Sequence, residues 1–196
     1  MRKLLACMLL FLPLICHAWW SDDWNFRKEV TFDLTDKGAN ITGTPTDVPV
    51  LIRLHLGNFG YFGDTKPDGS DLRFVAGDDK TPLKFHIERY DATSQLAFVW
   101  VNVPRLSGGL ATDKIYLYYG NSKSGTTPKS SESYDVSQVL VYHFGEGNAL
   151  LTDSSANVNN ASGSTAEANS ASLIAGGVKF AGGQSMTCLL YTSPSP

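Results

Sequence analysis

Asp64, Asp68 and Asp71 lie close together around Gly69 and Ser70, a grouping whose oxygens could ligate calcium. A calcium loop needs oxygen donors at fixed positions and a closing glutamate. Lys66 stands at one ligand position and Val75 where the glutamate belongs. The cluster therefore reads first as turn chemistry, with aspartate side chains accepting from nearby N–H groups and Gly69 taking a positive φ. Calcium is the one ion these residues admit; no other cofactor and no metal centre is expected. Asp78-Asp79 and Glu88 are carboxylates of the kind a glycosidase pairs. Asp78-Asp79 falls in a turn and Glu88 on the expected wet face of a strand, so both read as solvated charges. His55, His86 and His143 fall on three separate strands with no ligand spacing, and are expected as polar-face residues. No G-x-S-x-G elbow is present, and Gly145-Glu146-Gly147-Asn148 lacks the third glycine of a dinucleotide loop. No catalytic set emerges.

The aromatics are the other candidates. Trp19, Trp20 and Trp24 cluster near the start, and aromatic faces of this kind stack on sugar rings. Trp20 and Trp24, with Asp68 and Asp71, are the residues offered for binding. Packing in the core, or as a plug at one end of the fold, is the competing role for both tryptophans and the one preferred.

The elements that must position these residues are strands. Phe26, Val30, Phe32 and Leu34 share one parity, as do Val48, Val50, Ile52, Leu54 and Leu56, the pattern of a strand with one wet face. Residues 57–71 form a loop, and Leu72–Ala76 and Leu83–Glu88 are further strands. Leu96–Val103 is almost wholly apolar, which predicts a central strand covered on both faces and stopped by Pro104. Ile115–Tyr119 completes the unit before Gly120-Asn121. Strands at this spacing predict an all-β chain built on an antiparallel β-sandwich of jelly-roll type over residues 19–128. Residues 129–137 are expected as a linker, and 138–187 as the incomplete start of a second β-sandwich.

The ends and the composition bound the function. Arg2 and Lys3, the apolar run Leu4–Ile15 and the small residue Ala18 have the layout of a secretory signal peptide over 1–18. Ile15 argues against lipidation at Cys16. A periplasmic or secreted protein is expected. Residues 188–196, CLLYTSPSP, are similar to a translated sequencing-library adaptor, so the native chain is expected to run on past Thr187. The mature chain would then have no cysteine, which excludes a disulfide framework and a Cys-ligated zinc site. With 42% hydrophobic and 11% aromatic residues, an apolar core has its material. A formal net charge of −3, more negative by two once Arg2 and Lys3 are removed, leaves no footprint for nucleic acid. No second long apolar run appears, so membrane contact is expected only through segments beyond this sequence.

Five blocks carry a family resemblance: Trp19-Trp20 with Trp24-Asn25-Phe26-Arg27-Lys28, Val48–Leu54, Asp68–Phe74, Val99–Pro104 and Tyr118–Asn121. In this order they resemble the bacterial domain of unknown function 2341. Leu140–Phe144 followed by Asp153-Ser154-Ser155-Ala156-Asn157 resembles the start of a laminin-G or concanavalin-like jelly roll. In Gram-negative bacteria this pairing is similar to the periplasmic N-terminus of larger proteins that end in a MotA/TolQ/ExbB-type proton-channel module. The family has no established activity, so the resemblance implies context rather than mechanism. The expected function is a non-catalytic extracytoplasmic binding or interaction module. Its expected partner is a cell-envelope or environmental polysaccharide, or an envelope protein. The alternative is an accessory region of a secreted glycan-active hydrolase whose acid and base lie beyond Thr187.

Overall fold

The computed structural model describes residues 19–123, 129–145, 150–169, 172 and 174–188. The expected signal peptide and residues 189–196 of the adaptor-like stretch lie outside the described residues. Strands β1 (Phe26–Thr31), β2 (Thr46–His55), β3 (Arg73–Ala76), β4 (Phe85–Asp91), β5 (Leu96–Arg105) and β6 (Lys114–Tyr119) build the first unit. They form two antiparallel sheets of order β1-β6-β3 and β2-β5-β4. The period-two pattern decides which faces meet: Ala97, Val99, Val101 and Val103 of β5 all join one core. Ile52 and Leu54 of β2 and Phe85 of β4 enter it from the same sheet, and Phe74, Ile115, Leu117 and Tyr119 from the other. The expected β-sandwich is what forms.

The loop after β2 does more than connect. Phe59 and Phe62 are buried and meet edge to face at 5.2 Å, with Phe59 also 5.1 Å from Tyr119. These two rings plug the core where Trp20 and Trp24 were expected. Trp20 and Trp24 are instead half-buried on the outer face of the β1-β6-β3 sheet. There Trp20 lies 4.9 Å from Trp24 and 5.8 Å from Tyr118. β6 alternates, so Tyr118 points away from the core that Leu117 and Tyr119 fill, and the tryptophans cover it.

β5 is the centre of its sheet, as its apolar run predicts, but Pro104 does not stop it. Arg105 still pairs with Thr46, and Val103 with Val48. β4 begins opposite Val101, so Pro104 meets no β4 partner that would need its missing N–H. The outer face of β5 carries Phe98 and Trp100, and Phe98 is buried. Over Trp100 lies the segment expected to be a linker. Ser133 and Tyr134 are buried there, and Asn102 reaches the Ser133 carbonyl at 3.4 Å. Its polar composition concealed one aromatic anchor.

After this segment the backbone is ordered by side chains more than by sheets. Asp153 accepts from the N–H groups of Val141, Ser155 and Asn159 and from the Ser155 hydroxyl. Strands β7 (Ala161–Ser164), β8 (Glu167–Asn169), β9 (Gly177–Lys179) and β10 (Met186–Cys188) pair only as two ribbons, β7 with β10 and β8 with β9.

Candidate functional site

The outer face of the β2-β5-β4 sheet carries a connected polar cluster of His86, Glu88, Trp100, Tyr134 and His143. His86 lies opposite Trp100 and Ile87 opposite Val99, but the register then slips, so that Arg89 faces Phe98. Glu88 is the extra residue of this β-bulge, a device that re-aims a side chain. Its carboxylate accepts from the Trp100 indole N–H at 2.6 Å and lies 3.2 Å from His143 Nδ1. His143 arrives from the segment after Tyr134. Its Nε2 lies 3.1 Å from His86 Nε2 and 2.8 Å from the Tyr134 hydroxyl. The Glu88 side chain is 2% exposed and that of His143 6%. Glu88 is therefore not on a wet face.

Charge in this cluster is set by burial and by neighbours. Burial, with His143 beside it, pushes His86 down to about 4, so it is neutral at pH 7. Burial works against ionisation of Glu88 as well. Hydrogen bonds from His143 and Trp100, and the charge a protonated His143 would carry, outweigh it and hold the carboxyl below its ordinary value. Glu88 is thus an anion whose partners are already in place. His86 Nδ1 is buried with no hydrogen-bond partner.

Beside the cluster opens a cleft of about 650 Å3, lined in part by Glu88, Trp100, Tyr134, Gln138, Tyr142 and Ser172. One wall belongs to the sandwich and the other to the trailing segment. The cleft therefore exists only when Tyr134 and His143 are seated.

The residues singled out by sequence go elsewhere. Asp71 is buried, and its carboxylate accepts from the N–H groups of Lys66 and Gly120 at 2.8 and 2.9 Å. Its carbonyl accepts from the Trp24 indole at 2.6 Å. Asp68 accepts from the Ser70 N–H at 3.0 Å, and that bond holds its carboxyl below the ordinary range. Gly69 has φ +69°, and a Cβ there would meet the Tyr90 ring at 2.6 Å. Asp64 closes a short 3-10 turn, Phe62–Asp64. Asp68 and Asp71 thus bond the backbone at and beside the turn around Gly69, while Asp64 belongs to the preceding 3-10 turn. Trp24 lies under the Arg73 guanidinium, 5.4 Å from its centre.

Asp78 caps its own turn, accepting from Lys80 and Thr81. Asp79 is no solvated charge: it pairs with Arg27 and accepts from the Tyr118 hydroxyl at 2.6 Å. That places Asp79 and Glu88 on opposite outer faces of the sandwich, too far apart to act on one glycosidic bond. His55 stays in its own turn, where its Nδ1 accepts from the Gly57 N–H. Sequence reasoning missed the Glu88–His143–Tyr134 grouping, and no local spacing could have found it. The nearest clue was a lone tyrosine before the run Val139–Phe144 and a lone histidine inside it.

Among the described residues, no three His, Cys, Asp or Glu side chains gather to hold a metal ion, and no helix is long and apolar enough to cross a membrane. Residues 68–156 match the profile of a family described as a domain of unknown function (DUF2341). Three of the five blocks that carried the resemblance fall inside this span; those at Trp24 and Val48 lie before it. The span also takes in Leu140–Phe144 and Asp153–Ala156, which were set apart as a second domain, and all five residues of the polar cluster. No curated protein and no solved structure matches the chain.

Proposed function

We propose that this chain is a non-catalytic binding module that works outside the cytoplasm and takes a segment of polysaccharide in the cleft beside Trp100. The observation that carries this is the cleft itself: Trp100, Tyr134 and Tyr142 offer aromatic surface, and Gln138 and Ser172 offer polar atoms beside it. Aromatic faces with a few hydrogen bonds suit a sugar ring. The carboxylate at hand is engaged by Trp100 and His143, which speaks for a wall rather than a free acid. The leader-like pattern of residues 1–18 supports an extracytoplasmic setting, and the resemblance to envelope proteins with TolQ/ExbB-type modules suggests an energised envelope complex as the context.

Stacking with few polar contacts gives weak affinity, on the order of micromolar to millimolar. The purified chain is applied to an array of cell-envelope and plant or algal polysaccharides, and hits are measured by calorimetry. Trp100→Leu, with its circular dichroism unchanged, is expected to weaken binding at least tenfold. Silence on every glycan, with one envelope protein recovered in a pull-down, would replace the sugar by a protein partner. Release of reducing ends from a bound glycan would overturn the non-catalytic reading.

A further inference from the structure

Three stretches far apart in the chain meet where β1 begins and β6 ends: residues 25–26, 63–67 and 120–122. They enclose a second cleft, of about 360 Å3, lined in part by Asn25, Phe26, Asp64, Lys66, Gly120 and Asn121. The buried Asp71 carboxylate takes the N–H groups of Lys66 and Gly120, at 2.8 and 2.9 Å, and so ties one wall to another. The Asn25 side-chain amide donates to the Gly120 carbonyl at 2.7 Å and fixes the third stretch. The walls are thus held by the protein itself, which spares a ligand the cost of ordering loops.

The cleft also carries groups that the fold leaves unused. Phe26 stacks on Tyr119 at 5.3 Å and 24°, yet it is 42% exposed, so the ring is covered on one side and open on another. Gly120 has φ +82°, and a Cβ on it would meet the Phe26 ring at 2.6 Å, so glycine is what lets the ring lie over this turn. Asp64 gives its N–H to the Tyr61 carbonyl, and its carboxylate has no hydrogen-bond or ion-pair partner among the described residues. It stands near the same rings: after burial and Tyr61, its charge helps keep the Tyr119 proton in place. Asn121 is only 5% exposed. Its Oδ1 accepts from the Lys123 N–H at 2.8 Å, while Nδ2 donates to no described group and is not sealed from solvent.

We propose that this cleft is a second site, separate from the one beside Trp100, and that it takes a single neutral sugar ring. The C–H face of a pyranose covers the open side of Phe26. A hydroxyl both donates and accepts, so neighbouring hydroxyls of one ring give to the Asp64 carboxylate and take from Asn121 Nδ2. Aromatic surface with a few placed polar groups is the usual make-up of a small-ligand site, and this volume lies near the lower end of such sites. An anionic ligand is disfavoured: the Lys66 ammonium already donates to the Lys123 carbonyl, and the ligand would meet the Asp64 charge. The site stands whether or not the Trp100 cleft binds glycan.

The test is saturation-transfer NMR of the purified chain with the methyl glycosides of glucose, galactose and mannose, followed by an amide-detected titration with each one that binds. At least one should bind in the millimolar range, moving the Asn121 side-chain amide signals. Phe26→Ala and Asp64→Asn should each weaken binding at least tenfold, and Trp100→Leu should leave it unchanged. Circular dichroism checks each fold. Should Phe26→Ala unfold, Asp64→Asn, a near-isosteric change at an exposed residue, decides the matter. No saturable binding of any of the three glycosides overturns the proposal. So does a folded Asp64→Asn variant that binds as wild type. Binding that Trp100→Leu removes and Asp64→Asn spares overturns it too, while upholding the other cleft.

Discussion

The two-sheet unit and the region after Lys129 are held together by different physics. In the first, Phe59, Leu72, Phe74, Val99, Val101 and Leu117 are fully buried and interdigitate across two sheets. In the second, the buried residues described are small or polar, among them Ser133, Asp153, Ser154, Ser155 and Ala161, with Tyr134 the large exception. Asp153 gathers three backbone N–H groups and a hydroxyl, while Asn157 and Asn159 bond the carbonyls of Val136, Gln138 and Val139. Apolar burial is non-directional and tolerates repacking; such a clamp is directional and fails when one acceptor goes. The second region borrows its apolar contact from the first, through Tyr134 and His143 on the Trp100 face.

The strongest break comes from the core. Phe74 is fully buried and meets Phe85 at 5.1 Å. Phe74→Ala should cost about 3–5 kcal/mol, and urea denaturation should lose both regions at one lowered midpoint. If the trailing region survived, it would not depend on the sandwich as argued.

Asp153→Ala should cost about 2–3 kcal/mol, because four donors lose their acceptor. Hydrogen exchange should show amides near Val141, Ser155 and Asn159 losing protection while β5 keeps its own. Equal loss in β5 would make the two regions one cooperative unit.

Titration should separate them further. Burial pushes Asp153 up, but hydrogen bonds from Ser155, Val141 and Asn159 outweigh it, so its carboxyl sits below the ordinary 3.8. Its contribution is present above about pH 3.8 and is lost as pH falls through the lower folded value. Burial, with Tyr61 and Asp64 nearby, pushes Tyr119 in the sandwich up to about 12. That contribution is present below about pH 10 and is lost as pH rises through 12. Exchange at pH 3 should expose the clamp first, and circular dichroism between pH 10 and 12 should report the sandwich. The reverse order would discard the comparison.

The smallest effect lies at Val158, a β-branched residue with φ +53°. Val158→Asn should stabilise the trailing region by about 0.5–1 kcal/mol, since asparagine tolerates the left-handed region better. A stability change in the other direction would show that the exposed isopropyl group makes a packing contact.

Strand parity was legible because one face of each sheet is dry, and a slip of one residue would invert it. The turns at Asp68-Gly69-Ser70 and Asp78–Thr81 were legible because their hydrogen bonds are local. Glu88 was misread because a bulge breaks the alternation at that residue, and parity arguments assume none. Tyr134 was missed because a single anchor in a polar stretch leaves no period. His143 was missed as a partner because the residue that orients it sits on β4, across two strands and a loop. Core packing was the preferred role for Trp20 and Trp24 because it is the default for aromatic side chains, yet Phe59 and Phe62 are the rings buried there.

The β5 face beneath Tyr134 also has a history within each molecule. A chain made from its N-terminus completes β6 before Tyr134 and His143 have left the ribosome. At roughly 5–20 residues per second, the stretch from Tyr119 to His143 takes on the order of a few seconds to follow. During that interval a folded sandwich would present Trp100 bare, with the Glu88 carboxylate lacking its histidine. This is the moment at which a nascent neighbour or a holdase would find something to grip.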